Sequence, residues 1–377
     1  MSNAVSRLFK SRFGVRLAVP AVVAVGAVGT ALIYPQVVSA SVPSLAPKTP
    51  AQLIESALTP TGKIYSGTVV ETSGLGLPSS LVNQLSGGST SSGLSGLLTQ
   101  ALTSGVTANF WTDHSSSLRV QVPSSSGEFD VYASAGSVWE WDSATNTATN
   151  VKLPTGTQAT SGTTSTTSTP PSPSTIADAL LSHLPAGATV TVDSPQYVAG
   201  QAAYVLNLAP NDSSSLIGSV QIAVDASTGN VLGVWITPTG SSSVAFSVAY
   251  SAVSFTAPSS SVFSFTVPNG ATVKTVTPST ALSPTGGSST TTPSVTHKTI
   301  GSGFSTVEVI SGLPQSSSSG SSTLMSGLLG SGTKVTTAIG SGTVVTTSVA
   351  TVFVGDNGTV AFGAVPQSVL LADLGQA

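Results

Sequence analysis

The stretch Gly127-Glu-Phe-Asp-Val-Tyr-Ala-Ser-Ala-Gly-Ser-Val-Trp-Glu-Trp-Asp-Ser-Ala-Thr-Asn-Thr-Ala-Thr-Asn-Val-Lys-Leu-Pro154 decides the fold of this chain. Apolar and polar residues alternate in it, and two short turns, Ala135-Gly136 and residues 142–146, interrupt the alternation. A period of two broken by tight turns is typical of neighbouring antiparallel strands. The stretch therefore predicts an antiparallel meander, and much of the chain on either side continues the same pattern.

The same stretch contains the densest group of carboxylates in the chain, namely Glu128, Asp130, Glu140 and Asp142. On strands they would share a face in pairs, which is compatible with a calcium site or an acid/base pair. The apolar residues that alternate with them are Phe129, Val131, Trp139 and Trp141. We favour a structural interpretation, in which the carboxylates form the solvent-facing side of the sheet.

Composition excludes several classes of function. The chain has 377 residues and no cysteine, which excludes disulfides, thiolate metal sites and a cysteine nucleophile. Only 7% of the residues are charged and the net charge is −3, so the sequence offers no basic face for nucleic acid. Because 40% of the residues are hydrophobic and alternate regularly, we expect a folded chain.

The N-terminus has the pattern of a secretory signal. The basic residues Arg7, Lys10, Arg12 and Arg16 precede the apolar run 17–33, and Val38-Ser39-Ala40 is a small-residue cleavage pattern. Residues 1–40 are therefore predicted to be a signal peptide cleaved after Ala40, or an uncleaved membrane anchor. In either case we expect an extracytoplasmic protein, secreted or in the cell envelope, which contacts the membrane through this segment if it is uncleaved.

Changes in composition predict the domain organisation. Residues 41–276 are predicted to form one domain, with short helices near 50–58 and 174–184 and strands throughout the rest. The Ser/Thr/Pro-rich residues 277–294 indicate a linker, and residues 295–377 a small β-rich extension that ends in a helix. Within these parts we expect a helical turn at 213–218 and a strand at 343–354.

A leucine-rich segment broken by glycine and serine fills residues 74–102. Leu94, Leu97 and Leu98 fall on one face of a helix in it. Such a segment between two strands is compatible with a mobile helical flap, and equally with an ordinary surface helix packed on the core.

Residues for catalysis or metal binding are scarce. The three histidines, His114, His183 and His297, have no second histidine or carboxylate at the spacing of a metal site or a triad. No nucleophile-elbow, phosphate-loop or dinucleotide motif occurs, and the many serines have no evident base. We therefore predict no catalytic residue, no metal ligand and no cofactor, and a protein that is not an enzyme.

A hydrophobic cavity is the remaining candidate for a site. A long antiparallel sheet must bury one face, and a sheet that curls under apolar helices can enclose a cavity suited to acyl chains. A tight core without a cavity is the alternative that the sequence leaves open. The predicted lining residues are Leu53, Ile54, Leu94, Leu97, Leu98, Trp111, Trp139, Trp141, Ile176 and Leu180.

Several blocks resemble actinobacterial exported proteins of the LolA/RseB-like superfamily. They are Tyr65-Ser-Gly-Thr-Val-Val-Glu-Thr-Ser-Gly-Leu-Gly-Leu-Pro78, Trp139-Glu-Trp-Asp-Ser-Ala-Thr-Asn-Thr-Ala-Thr149, Ile217-Gly-Ser-Val-Gln-Ile-Ala-Val-Asp-Ala-Ser-Thr-Gly229 and Val262-Phe-Ser-Phe-Thr-Val-Pro268. The resemblance covers roughly residues 45–276 and implies a mainly β (α+β) fold, an incomplete antiparallel β-barrel closed by short helices. The chain departs from the lipid-moving lipoproteins of the superfamily because it lacks their N-terminal cysteine.

The resemblance implies two possible functions. The first, which is our leading hypothesis, is an exported, non-enzymatic carrier that binds lipid or lipoprotein acyl chains in its cavity. The second is an RseB-like regulator that binds a membrane partner such as an anti-sigma factor. The Ser/Thr-rich linkers are compatible with a third function, that of a structural protein of the cell envelope.

Overall fold

The computed structural model describes residues 42–77, 100–101, 105–124, 127–134, 137–152, 172–181, 188–276, 296–312, 330 and 332–375. Residues 42–377 form one compact unit. The predicted signal segment 1–40 and most of the leucine-rich segment lie outside the described residues. The proposed boundaries at 276 and 295 stay predictions.

A twelve-stranded sheet dominates the described chain, in the order β12-β6-β5-β4-β3-β2-β1-β11-β10-β9-β8-β7. Its first strands are β1 (Ser66–Ser73), β2 (Thr107–Thr112), β3 (Leu118–Ser124), β4 (Gly127–Ser134), β5 (Ser137–Asp142) and β6 (Thr147–Lys152). The others are β7 (Ala188–Val198), β8 (Gln201–Pro210), β9 (Ile217–Asp225), β10 (Val231–Pro238), β11 (Phe246–Ser254) and β12 (Thr272–Val276). The predicted meander is confirmed as β4, β5 and β6.

The sheet is antiparallel except where β12 pairs in parallel with β6. It is large, open and not closed into a barrel, and the helices that accompany it are short. The prediction of a mainly β, incomplete antiparallel barrel is therefore confirmed. The long pairing of β1 with β11 joins the two meanders into one continuous sheet.

Two helices pack against strands β7 to β11. Helix α1 (Pro50–Leu58) begins at Thr49, whose side chain forms a capping box with Gln52, and proline in the first turn suits the helical backbone. Helix α2 (Pro173–Leu181) packs beside it. The fully buried Leu53 of α1 and the buried Leu181 of α2 share one hydrophobic core with residues of β8, β9 and β10.

A second, six-stranded sheet follows, in the order β13-β14-β18-β17-β16-β15. Its strands are β13 (Thr296–Ile300), β14 (Val307–Ser311), β15 (Thr333–Thr337), β16 (Gly340–Thr346), β17 (Thr351–Gly355) and β18 (Val360–Gly363). Helix α3 (Gln367–Leu374) packs on one face of it, where Leu370 and Leu374 contact the buried Phe353.

Two local predictions were wrong. The strand expected at 343–354 is two strands, because a turn at 347–350 is closed by hydrogen bonds to the Thr347 hydroxyl. The helical turn expected at 213–218 is a turn without a helix, since the Asp212 carboxylate accepts the Ser214 N–H and β9 already begins at Ile217.

The second sheet docks on the first through hydrogen bonds and one aromatic side chain. The Leu216 N–H donates to the Ala364 carbonyl at 2.7 Å, and the Ser348 N–H donates to the Leu75 carbonyl at 2.8 Å. Phe304, in the short 3₁₀ helix Gly303–Ser305, inserts into the core beneath α1 and α2. No helix of the described residues is long and apolar enough to span a membrane.

Candidate ligand cavity

The register between β4 and β5 decides which side chains share a face. Ser134 of β4 pairs with Ser137 of β5. Every even-numbered residue of β4 therefore lies opposite an odd-numbered residue of β5. Tyr132 therefore lies opposite Trp139, and Asp130 lies opposite Trp141. Both tryptophans lie on the face of the carboxylates of β4. The interpretation of the four carboxylates as one solvent-facing side was wrong.

The aromatic face, defined here as the face that carries Trp111, Tyr132, Trp139 and Trp141, holds a buried ion pair. The Arg119 guanidinium donates to the Asp130 carboxylate at 3.0 Å, and Asp130 is only 1% exposed. The Arg119 guanidinium also lies 5.0 Å from the Trp111 ring centroid and 4.7 Å from that of Tyr132. Burial raises the pKa of Asp130, and the charge of Arg119 opposes this shift.

The strap, residues 255–271, crosses the aromatic face between β11 and β12. Its Phe265 ring lies 5.1 Å from the Tyr132 ring, 5.3 Å from the Trp139 ring and 6.3 Å from the Trp141 ring. The Asn146 side chain donates a hydrogen bond to the Gly270 carbonyl at 2.9 Å, close to the C-terminal end of the strap. The protein's own chain thus covers part of this face.

An apolar cavity lies on the opposite face of the same strands. It is lined by Val69, Ala108, Phe110, Leu118, Val120, Ser172 and Tyr250. Its volume is about 110 Å³. Ser172 directly precedes α2, and none of the described residues that line the cavity is charged.

Alternation along adjacent strands explains this lining. Ala108 and Phe110 lie two apart on β2, as do Leu118 and Val120 on β3, and Phe110 pairs with Val120. Val69 pairs with Ala108 on one side and with Tyr250 on the other. A register shift between Thr68 and Val69 adjusts β1 to β11 at this point. Four strands thus present small and aromatic apolar side chains to one space.

Carboxylates also occur on the cavity-bearing face, outside the cavity itself. Glu140 pairs with Val131, and burial raises the pKa of Glu140. Glu71 is 8% exposed and lies two residues beyond Val69 on β1. Burial raises the pKa of Glu71 to about 7, against a smaller opposing effect of a hydrogen bond from the Val106 backbone.

The structure places the sequence-predicted lining residues in three groups. Leu53, Ile54, Ile176 and Leu180 belong to the core formed by α1 and α2 over β8 to β10. Trp111, Trp139 and Trp141 lie on the aromatic face, across the sheet from the cavity. Leu94, Leu97 and Leu98 lie outside the described residues. Contact of these residues with a ligand stays a prediction.

Ile176 connects two of these regions. It packs both against the core under α1 and against the neighbouring cluster that contains Val69 and Tyr250.

Sequence reasoning missed the cavity residues of β2 and β3, although the pairs Ala108/Phe110 and Leu118/Val120 show the required alternation. The described residues contain no group of three or more histidines and carboxylates that could hold a metal ion.

Comparison with known proteins returns structural likenesses only. No family profile matches the sequence, and no curated protein matches it. MucB in complex with MucA from Pseudomonas aeruginosa is 13% identical, covers 86% of this chain and 95% of that chain, and gives a TM-score of 0.38. LprF from Mycobacterium bovis is 10% identical, covers 59% of this chain and 97% of that chain, and gives a TM-score of 0.30.

A LolA superfamily protein from Nitrosomonas europaea is 10% identical, covers 58% of this chain and 99% of that chain, and gives a TM-score of 0.22. These likenesses concern the fold alone. TM-scores below 0.5 assign neither a ligand nor a functional residue to it.

Proposed function

We propose that this chain is an exported, non-enzymatic protein that binds the acyl chain of a lipid or lipoprotein in the cavity between β1, β2, β3 and β11. The observation that carries the proposal is the lining, in which the described residues supply five apolar side chains together with Tyr250 and Ser172, and none that is charged. An alkyl chain bound there is removed from water, whereas a polar solute finds few hydrogen-bond partners.

The free energy of burying methylene groups sets how much of the chain must be covered. Burying a methylene group contributes about 0.8 kcal/mol, so four buried methylenes contribute about 3 kcal/mol, and about ten are needed for the roughly 8 kcal/mol of a micromolar complex. The cavity volume of about 110 Å³ is below the roughly 300 to 1,000 Å³ of small-molecule sites, so a whole acyl chain needs the cavity to widen. A chain in which only 7% of residues are charged suits this mode of binding.

Helix α2 is the element that would let a longer chain enter. Ser172 at its start lines the cavity, and Ile176, one turn later, packs toward both the cavity strands and the helix core. An outward shift of α2 would extend the cavity toward Ile54 and Leu180, which pack against the core under the two helices. On this proposal the sequence-predicted helix residues form the second part of the lining.

Native mass spectrometry of the full-length protein purified from its own envelope tests the proposal. We expect a co-purifying mass that organic extraction releases and identifies as an acyl lipid or lipopeptide. An unliganded mass that stays unchanged after incubation with envelope lipids would contradict it.

A second candidate function is a regulator that binds a membrane protein partner. It is favoured by β12, an edge strand whose five residues are all exposed and include Val273 and Val276. An exposed edge can accept a strand from another chain. Cross-linking from Val273 in membranes to one defined protein, with no lipid bound, would favour this candidate over the carrier.

A further inference from the structure

Glu71 is a buried carboxyl in apolar surroundings. Its backbone forms a reciprocal hydrogen-bonded pair with Val106, and its register partner on the other side is Val248. Val106 and Val248 are 4% and 0% exposed. Burying a carboxyl costs free energy unless a partner compensates for the lost water, and the hydrogen bond from the Val106 backbone offsets only part of this cost, so the position of Glu71 calls for a physical reason.

The row that contains Glu71 is the next row after the cavity. In the first row, Val106, Glu71 and Val248 lie side by side on adjacent strands. The next row on the same face, two residues further along each strand, consists of Ala108, Val69 and Tyr250, which line the cavity. Two residues of an antiparallel strand span about 7 Å. A chain lying along β1 in the cavity therefore reaches the Glu71 carboxyl within about five methylene lengths.

No cation of the described residues compensates Glu71. The one ion pair of this part of the chain joins Arg119 to Asp130 on the opposite face of the sheet. Residues 74–104, which follow β1 and include the leucine-rich segment, contain no lysine, arginine or histidine. A carboxyl without a cationic neighbour is complementary to a cation that a ligand brings with it.

We propose that Glu71 is the head-group subsite of the cavity and selects amphiphiles whose polar end is an ammonium group. This inference rests on the proposed function, because it needs an alkyl chain in the cavity. The ammonium donates hydrogen bonds to the carboxylate, and the chain lies over Val69 and Ala108. An amphiphile that ends in a free carboxylate is rejected by like charge.

The electrostatic setting agrees with this role. Burial raises the pKa of Glu71 to about 7, so pairing with an ammonium ion would restore the charged form. The titratable groups on the elements packed nearby are Tyr250 of β11, whose pKa burial raises to about 12, and Asp178 of α2, which is exposed. Neither supplies positive charge.

Three probes of equal chain length test the subsite: dodecylamine, dodecanol and dodecanoic acid, titrated into the full-length protein at about pH 8, where the carboxylate form prevails. We expect the amine to bind about tenfold or more tightly than the acid, with the alcohol between them. In Glu71→Gln this order should collapse to within about threefold, while dodecanol affinity changes little. Glu140→Gln, which removes another partly buried carboxylate of the same face, should keep the wild-type order.

The outcomes separate the two proposals. If Glu71→Gln keeps the preference for the amine, or if the wild-type protein binds the acid as well as the amine, the head-group subsite is wrong. If none of the three probes binds to the wild-type protein, the acyl-binding function itself fails. Circular dichroism of Glu71→Gln and Glu140→Gln confirms that both variants are folded, and Glu71→Leu provides a second uncharged variant that should lose the same preference.

Discussion

Tyr132 lies directly opposite Trp139 in the register of β4 and β5, so the aromatic side chains of this hairpin share one face with Asp130 and Arg119. The consequence is a sheet with two chemically different sides. The aromatic face holds the buried ion pair and is crossed by the strap, whereas the opposite face holds the apolar cavity. The two faces can therefore be tested by separate substitutions.

Filling the cavity should abolish acyl binding. Ala108→Phe adds a ring to the cavity beside Val69, so we expect affinity for a dodecyl probe to fall about tenfold or more. Overpacking should cost about 1 to 3 kcal/mol of stability. Titration by native mass spectrometry measures the affinity. The same substitution at the exposed Ala252 of β11 is the control, and equal losses in both variants would contradict the assignment of the cavity.

Glu71 should make stability fall as the pH rises. Its pKa is raised from the usual 4.5 to about 7, so the folded chain binds this proton more tightly than the unfolded chain. The free energy of unfolding therefore has its full value, as far as Glu71 is concerned, below about pH 4.5. It falls progressively up to about pH 7, by on the order of 3 kcal/mol. Urea unfolding across this window should show a flatter pH dependence in Glu71→Gln.

The exposed Glu55 of α1 supplies the matched control, since Glu55→Gln makes the same chemical change away from the sheet. Glu55→Gln should keep the wild-type pH dependence. If Glu71→Gln kept it as well, Glu71 would not be the group responsible.

Breaking the ion pair on the aromatic face should be costly. Arg119→Met leaves the buried Asp130 without its cation, and loss of one partner of a buried pair costs about 3 to 5 kcal/mol. We expect the double variant Arg119→Met/Asp130→Leu to recover a large part of this loss in urea unfolding. A single variant as stable as the wild type, or a double variant no better than the single, would contradict the account.

The strap should be held mainly by Phe265. Phe265→Ala removes the ring that contacts Trp139 and Trp141, and because this ring is half-buried we expect a loss of about 1 to 2 kcal/mol. Tryptophan fluorescence should shift to longer wavelength as water reaches the indoles. Phe362→Ala, at an exposed ring of the second sheet, should leave the emission unchanged.

Much of the fold could be predicted because hydrophobic alternation and turn residues act locally. The meander of β4 to β6, the helix at Pro50 and the five strands β7 to β11 all follow from such patterns. Strands β12 and β13 were not predicted, because their residues are exposed and show no apolar face. Their position depends on pairing with distant strands.

The site was harder to predict because it depends on register across strands. Trp139 and Trp141 were predicted to line the cavity, but the pairing of Ser134 with Ser137 places them on the face of Tyr132 and Asp130. That register could have been derived from Ala135-Gly136 in the sequence. The meeting of Val69, Ala108 and Tyr250 could not, since β11 follows β1 by more than 170 residues.

Nuclear Overhauser contacts between a bound acyl chain and the methyl groups of the full-length protein test the central claim most directly. We predict contacts from the chain methylenes to the methyl groups of Val69, Leu118 and Val120, with contacts to Ile176 for longer chains. Contacts confined to Trp139 and Trp141, or to none of these residues, would contradict the cavity as the binding site.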